Sequence, residues 1–293
     1  MKTQQSLGFL LVFALLSLPI AAEPTGEFSA PSRTFSLTYQ VSLKDVPPGA
    51  RRVRVWIPRA VTDANQTVVL KKVDGPIHFR KTQETPLGNH MLYGEILHPQ
   101  PGASDVTVEY EVTRKEYSRG DFAALQKADH QSARTPKDLA RFLEPDRLVP
   151  IDGRIKELAD ENTRGLQGTV EKAHALYDFV FHTVRYDKTG TGWGRGDSLW
   201  VCDAKHGNCT DFHSLFISLA RAEGIPARFE MGFPVPDGTE GTIPGYHCWA
   251  EFFVNGLGWV PVDISEAWKA PSKHDYFFGA LDATASSFRQ VVT

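Results

Sequence analysis

The chain has 293 residues, with 32 Lys and Arg against 35 Asp and Glu, a formal charge of −3 and three cysteines. A balance this close to neutral, with no basic run and no interleaving of aromatic and basic residues, argues against nucleic acid as a partner. Charged residues at 23% and apolar ones at 41% are those of an ordinary globular protein, and the length suits two domains, one all-β and one mixed.

Residues 1–22 carry one lysine, an apolar run from Leu7 to Leu18, then Pro19 and the small pair Ala21-Ala22. This is the pattern of a secretory signal peptide cleaved after Ala22. Its apolar core is short for a bilayer span, which leaves a short membrane anchor as the lesser alternative. The expectation is a periplasmic or secreted protein with no membrane insertion after cleavage.

Residues 23–115 read as a small antiparallel β-sandwich. Thr34–Val41, Val53–Ile57 and Val106–Val112 alternate apolar with polar residues, the period of a strand with one buried face. Turn clusters such as Pro47-Pro48-Gly49 and Asp74-Gly75-Pro76 separate the runs. His78, His90 and His98 are scattered and read as solvated. A helical connector over 116–150 leads to a second domain over 151–293. Thr135-Pro136 can start a short helix at Asp138–Glu144, and Asp152 another at Arg154–Asp160. Thr169 is placed to cap a longer helix with Val170, Ala173, Leu176, Tyr177 and Val180 on one face. His174 and His182 fall outside that stripe and are expected in solvent.

A glycine-rich loop follows, Thr189-Gly190-Thr191-Gly192-Trp193-Gly194-Arg195-Gly196-Asp197. It lacks the Gly-Lys-Ser/Thr of a phosphate loop, and its tryptophans argue against disorder. It reads as one wall of a substrate groove, with Trp193 and Trp200 as candidate contacts; a structural role for both is nearly equal to it.

The loop runs into Gly207-Asn208-Cys209-Thr210-Asp211 and an amphipathic run with Phe212, Leu215, Phe216, Leu219 and Ala222 at helical spacing. Asn208 as N-cap and Asp211 reaching back predict a helix from Cys209, ended by Gly224 in the left-handed conformation with Pro226 beyond. Cys209 then sits in the first turn, where free N–H groups and the helix dipole favour a thiolate. A small hydrophobe plugging a helix end is the plain alternative. Downstream, Gly245–Val254 and Trp259–Asp263 read as two strands joined by Asn255-Gly256-Leu257-Gly258, supplying His247 and Asp263. A thiol at a helix start with His and Asp on a distant hairpin is the layout of a nucleophile, its base and the group that orients the base.

Gly207-Asn208-Cys209-x-Asp211, Gly224-Ile225-Pro226-Ala227-Arg228, His247-x-Trp249-x-Glu251 and Gly258-Trp259-x-Pro261-x-Asp263 together resemble the core of bacterial transglutaminase-like proteins, over about residues 150–280. The resemblance implies an α+β, papain-like core behind the sandwich and a Cys209–His247–Asp263 triad. It implies a thiol acyltransferase or hydrolase acting on peptide or protein amides. Trp249 and Asp211 join Trp193 and Trp200 as candidate substrate contacts. No cofactor is expected, and no EF-hand loop points to calcium.

Three rival readings bear on the same residues. An odd cysteine count in an exported protein fits one free thiol plus one disulfide, and Cys202–Cys248 is the pairing that spares Cys209. Cys202–Cys209, or three reduced thiols, are the other possibilities. The cluster Cys202, His206, Cys209 and His213 could hold zinc, but its spacing matches no zinc-finger pattern, and no metal is expected. His213, one turn from Cys209, could act as base, yet Asp211 lies about 200° round the helix from Cys209, leaving His213 without an orienting carboxylate. A non-catalytic binding module that retains the fold is the alternative to an enzyme. The triad also makes a geometric demand. His247 and Asp263 share a face only if Phe253 pairs with Trp259; pairing Val254 with Trp259 turns Asp263 away.

Overall fold

The computed structural model describes residues 32–85, 87–100, 104–129, 137–235 and 240–283, and the backbone of 285–292. The 1–22 segment lies outside the described residues, as do Thr135 and Pro136.

The alternating runs of the first half form six strands: β1 (Ser32–Leu43), β2 (Arg52–Pro58), β3 (Gln66–Asp74), β4 (Phe79–Gln83), β5 (His90–Leu97) and β6 (Ser104–Lys115). They make two antiparallel sheets, ordered β1-β6-β3 and β2-β5-β4. Along β6 every second side chain is buried, so Val106, Val108, Tyr110 and Val112 meet Val55, Ile57, Ile77 and Leu92 in one core. Arg114 continues that buried row beyond the apolar residues.

Short strand β7 (Tyr117–Ser118) and helix α1 (Phe122–Asp129) lead to a 3-10 turn, Lys137–Leu143, where an α-helix is expected; its Phe142 packs edge-on against Trp259 at 5.0 Å. Then come α2 (Arg154–Asn162), α3 (Thr169–Thr183), β8 (Arg185–Tyr186), α4 (Ser198–Ala204), β9 (His206–Gly207) and α5 (Cys209–Ala222). The chain continues through β10 (Ala227–Pro234), β11 (His247–Val254), β12 (Gly258–Val262), α6 (Ile264–Lys269), β13 (Ala280–Leu281) and β14 (Ala285–Val292). At α3 the cap differs from expectation. Thr169 is the first helical residue, and the free N–H of Val170 is received by Asp129 of α1 at 3.0 Å. A distant carboxylate does the work assigned to the hydroxyl. His174 is also drawn in rather than solvated, its ring 4.7 Å from those of both Phe122 and Phe278.

A four-stranded antiparallel sheet, β12-β11-β10-β14, carries the second core. Cys248, Ala250, Phe252 and Val254 of β11 join Phe212, Leu215, Phe216 and Leu219 of α5 in it, with Leu176, Tyr177 and Val180 of α3. Each large apolar side chain buried here contributes about 1.5–3 kcal/mol. The architecture is α+β, a helix-covered antiparallel sheet preceded by a β-rich part.

Candidate active site

Asn208 and Asp211 close the start of α5 as their spacing demands. Asn208 Oδ1 accepts the Thr210 N–H at 2.9 Å, and Asp211 Oδ2 accepts the Asn208 N–H at 2.9 Å. Asp211 also accepts N–H groups from Gly194 at 2.6 Å and Gly196 at 3.1 Å, and so straps the glycine-rich loop to the helix. Glycine is needed at two of these approaches. A Cβ on Gly207 would lie 2.4 Å from Asp211 Oδ2, and one on Gly196, at φ +68°, would lie 2.5 Å from Ser214 Oγ. Cys209 is thus held at the first helical position, 3% exposed.

The hairpin has the register that brings His247 and Asp263 together. Phe253 pairs with Trp259 and Val254 with Gly258. His247 Nε2 lies 2.5 Å from Asp263 Oδ2. The other oxygen, Oδ1, accepts Ser265 Oγ–H at 3.0 Å and the Glu266 N–H at 3.0 Å, because Asp263 is also the N-cap of α6. Nδ1 is then the His247 ring nitrogen left for the Cys209 sulfur, with which His247 forms a side-chain hydrogen bond.

The charges follow from these contacts. The Cys209 thiol is lowered to about 4, first by a hydrogen bond with the Cys248 thiol and then by the hydrogen bond and charge of His247, against the pull of burial. Burial alone would lower His247, but Asp263 and Cys209 outweigh it and raise the imidazole well above its usual value. Burial likewise works to raise Asp263, and His247 overrides it, bringing the carboxyl to about 2. The resting arrangement is a thiolate–imidazolium pair backed by a carboxylate.

Two neighbours take parts other than those the sequence reading weighed for them. Cys248 turns towards α5, its sulfur 3.8 Å from Thr210 Oγ1. Strand parity was the available signal, since 248 shares a face with 250 and 252. His213 does have a carboxylate beside it, for its Nε2 is 3.7 Å from Asp263 Oδ1. However, the same Nε2 accepts the Ile264 N–H at 3.1 Å, so the ring is neutral and anchors the segment that carries Asp263; burial lowers its pKa.

The other candidates divide. Trp193 and Trp200 are half-buried; Trp193 Nε1 donates to Gly190 O at 3.3 Å, and Trp200 stacks over Gly192 in α4. Asp211 has no exposed surface, both oxygens being taken by backbone N–H groups. Trp249 is 2% exposed and packs on Tyr117 and Leu281. Neither offers a surface to substrate, which corrects that expectation: the cap and the strand pleat turn both side chains inward. The expected Cys202–Cys248 disulfide is absent as well. All three thiols are free and buried, because β11 directs Cys248 at the start of α5. Among the described residues, Cys202, His206, Cys209 and His213 do not gather as metal ligands.

Residues 156–264 match the transglutaminase-like superfamily. An uncharacterized Haemophilus influenzae protein is 30% identical over 152 residues, which are 45% of this chain and 41% of that one. The uncharacterized protein YebA of Bacillus subtilis is 24% identical over 135 residues, 41% of this chain and 18% of its own length. The chain therefore spans less than half of either relative. A candidate cysteine protease from Cytophaga hutchinsonii, known from its solved structure, superposes with a TM-score of 0.61 at 18% identity, over 90% of this chain and 88% of that one; at that identity the likeness is one of fold. The match to the transglutaminase-like superfamily is confined to residues 156–264, and Cys209, His247 and Asp263 all lie within them.

Proposed function

We propose that this chain is an exported thiol enzyme acting on peptide or protein amides through a thioester at Cys209. The observation that carries the reading is the 2.5 Å His247–Asp263 contact behind a thiol at a helix N-terminus. His247 holds the Cys209 proton, and Asp263 fixes the ring and stabilises its charge. The thiolate adds to the amide carbonyl, and the Cys209 N–H, unpaired in the first turn, faces the oxyanion. Collapse breaks the C–N bond as the imidazolium protonates the departing amine or ammonia. The thioester then passes its acyl group to a lysine amine, giving transamidation, or to water, giving hydrolysis. Trp193 and Trp200 are the proposed substrate walls. The apolar segment before Ala22 supports export to the periplasm or beyond.

Incubation of the protein with a glutaminyl peptide and a primary amine, read by mass spectrometry, tests the reading. Either the amine-linked peptide or the deamidated one is expected, together with a thioester adduct on Cys209 that Cys209→Ser abolishes. Intact peptide with no adduct, from protein whose Cys209 alkylates only at an ordinary slow rate, would favour the binding module instead.

A further inference from the structure

Arg114 is the one charged residue in the buried row of β6, 2% exposed, and its Nε and Nη2 have no hydrogen-bond partner. It lines a cavity of about 110 Å³ between the end of β6 and the β11–β12 hairpin, whose wall includes Tyr117, Glu230, Trp249 and Glu251. Trp249 Nε1 on the same wall is also buried and unpartnered. The nearby carboxylates are engaged elsewhere. Glu251 receives Arg228 Nε at 2.9 Å and Nη2 at 2.5 Å, Glu230 lies 3.0 Å from the same guanidinium, and Asp63 Oδ1 caps the N–H groups of Asn65 and Gln66.

We infer that this cavity binds a small monocarboxylate, its two oxygens received side-on by Nε and Nη2 of Arg114 and one of them also by Trp249 Nε1–H. A buried donor left without a partner is costly, and Arg114 Nε, Arg114 Nη2 and Trp249 Nε1 are three such donors. Asp63, Glu251 and Asp282 already face the guanidinium charge, so the ligand is selected by geometry: separate waters could meet these N–H groups one at a time, whereas one planar carboxylate meets the fork and the indole together. The Nε/Nη2 edge is a planar fork that matches the two oxygens of a carboxylate. A dianion such as phosphate is disfavoured by Glu230, Glu251 and Asp63 around the cavity. The ligand would join the sandwich, through Arg114, to the strand that bears His247, whose ring is 6.2 Å from that of Trp249. It is a second site, independent of the chemistry at Cys209.

Thermal unfolding of the whole chain in sodium acetate, against sodium chloride and sodium phosphate at matched ionic strength, tests this. Acetate is expected to raise Tm by a few degrees in a saturable way, beyond either control. Arg114→Met replaces the buried guanidinium by an apolar chain of similar length and should lose the acetate response. Arg114→Lys keeps the charge without the fork and should weaken acetate at least about tenfold. Equal responses to acetate and chloride, a phosphate response exceeding acetate, or a full acetate response in Arg114→Met would each overturn the site. Should Arg114→Met not fold, saturation transfer from the wild-type protein to the acetate methyl group decides: transfer supports the site, and none removes it.

Discussion

At Cys209 the helix N-terminus, the Cys248 thiol and the His247 ring all favour the thiolate, and burial alone opposes them. The rate of Cys209 alkylation by iodoacetamide should therefore rise through an acid limb near pH 4 and stay level through neutrality. His247→Ala removes both a hydrogen bond and a positive charge, so the limb should move up towards ordinary thiol values. Cys248→Ala removes one hydrogen-bond partner and leaves the imidazolium, so its limb should also rise while the His247-dependent part persists. Mass-spectrometric alkylation rates across pH check both. An unmoved limb in His247→Ala would separate the histidine from the thiol. The sequence places Cys209 at the helix start because capping is local. It cannot reveal that Cys248 faces Cys209, which depends on how α5 lies across β11.

At the scale of elements, α5 and the glycine-rich loop form one unit through a single carboxylate. Asp211 gathers N–H groups from positions 194, 196 and 208, two of them 17 and 15 residues away in sequence. Asp211→Ala leaves these donors unmatched and should cost about 3 kcal/mol in urea unfolding, at roughly 1 kcal/mol or more per donor. It should also slow Cys209 alkylation, because the loop that borders the thiol is released. A loss below 1 kcal/mol would mean that water replaces the carboxylate without penalty. The bond to Asn208 was legible, since a capping box spans three residues. The bonds to Gly194 and Gly196 were not, because nothing in a loop sequence states which helix it lies against. The hairpin was more readable: the period of a strand is two, so the demand that His247 meet Asp263 selected the pairing that is found. The same parity puts Cys248 on the strand face shared by Ala250 and Phe252, without saying which thiol it meets.

For the whole molecule, the sandwich meets the helix-covered sheet through side chains, and β7, which follows the sandwich, adds backbone pairing with β13. Tyr117 Oη–H donates to Trp259 O at 2.9 Å, Arg119 Nε–H to the same oxygen at 3.0 Å, and the Tyr39 and Phe233 rings lie 5.6 Å apart. Global unfolding exposes the Cys209–His247–Asp263 cluster, so it should titrate with it. Asp263, held to about 2, contributes stability that is complete above its ordinary 3.8 and lost as pH falls through 2. Cys209, held to about 4, contributes fully above 9.0 and loses its share on the way down to 4. His247 is held above 6.5, so its share is complete below 6.5 and fades as pH rises through its folded value. Above 6.5 the growing Cys209 share and the fading His247 share offset each other, proton for proton. Stability from this cluster should thus rise from pH 2 to about 6.5 and then level off, at most about 1.4 kcal/mol per pH unit for each proton. Cys209→Ser removes the compensating arm and should turn downward above pH 6.5. Urea unfolding free energies across pH check this, and a variant that stays parallel to wild type above 6.5 would contradict the pairing.

The sequence by itself determined what periodicity and short-range capping can encode: the alternating strands of residues 32–115, the α5 boundaries from Asn208 to Gly224, and the parity that joins His247 to Asp263. These depend on neighbours within a few residues or on a repeat of two or 3.6. Tertiary structure alone decided the rest. It turned Trp249 and Asp211 inward, gave α3 its cap from Asp129, set Cys248 beside Cys209, and left Arg114 buried against the hairpin. Each of those outcomes depends on which faces pack together after the elements exist, and the side chains involved are far apart along the chain.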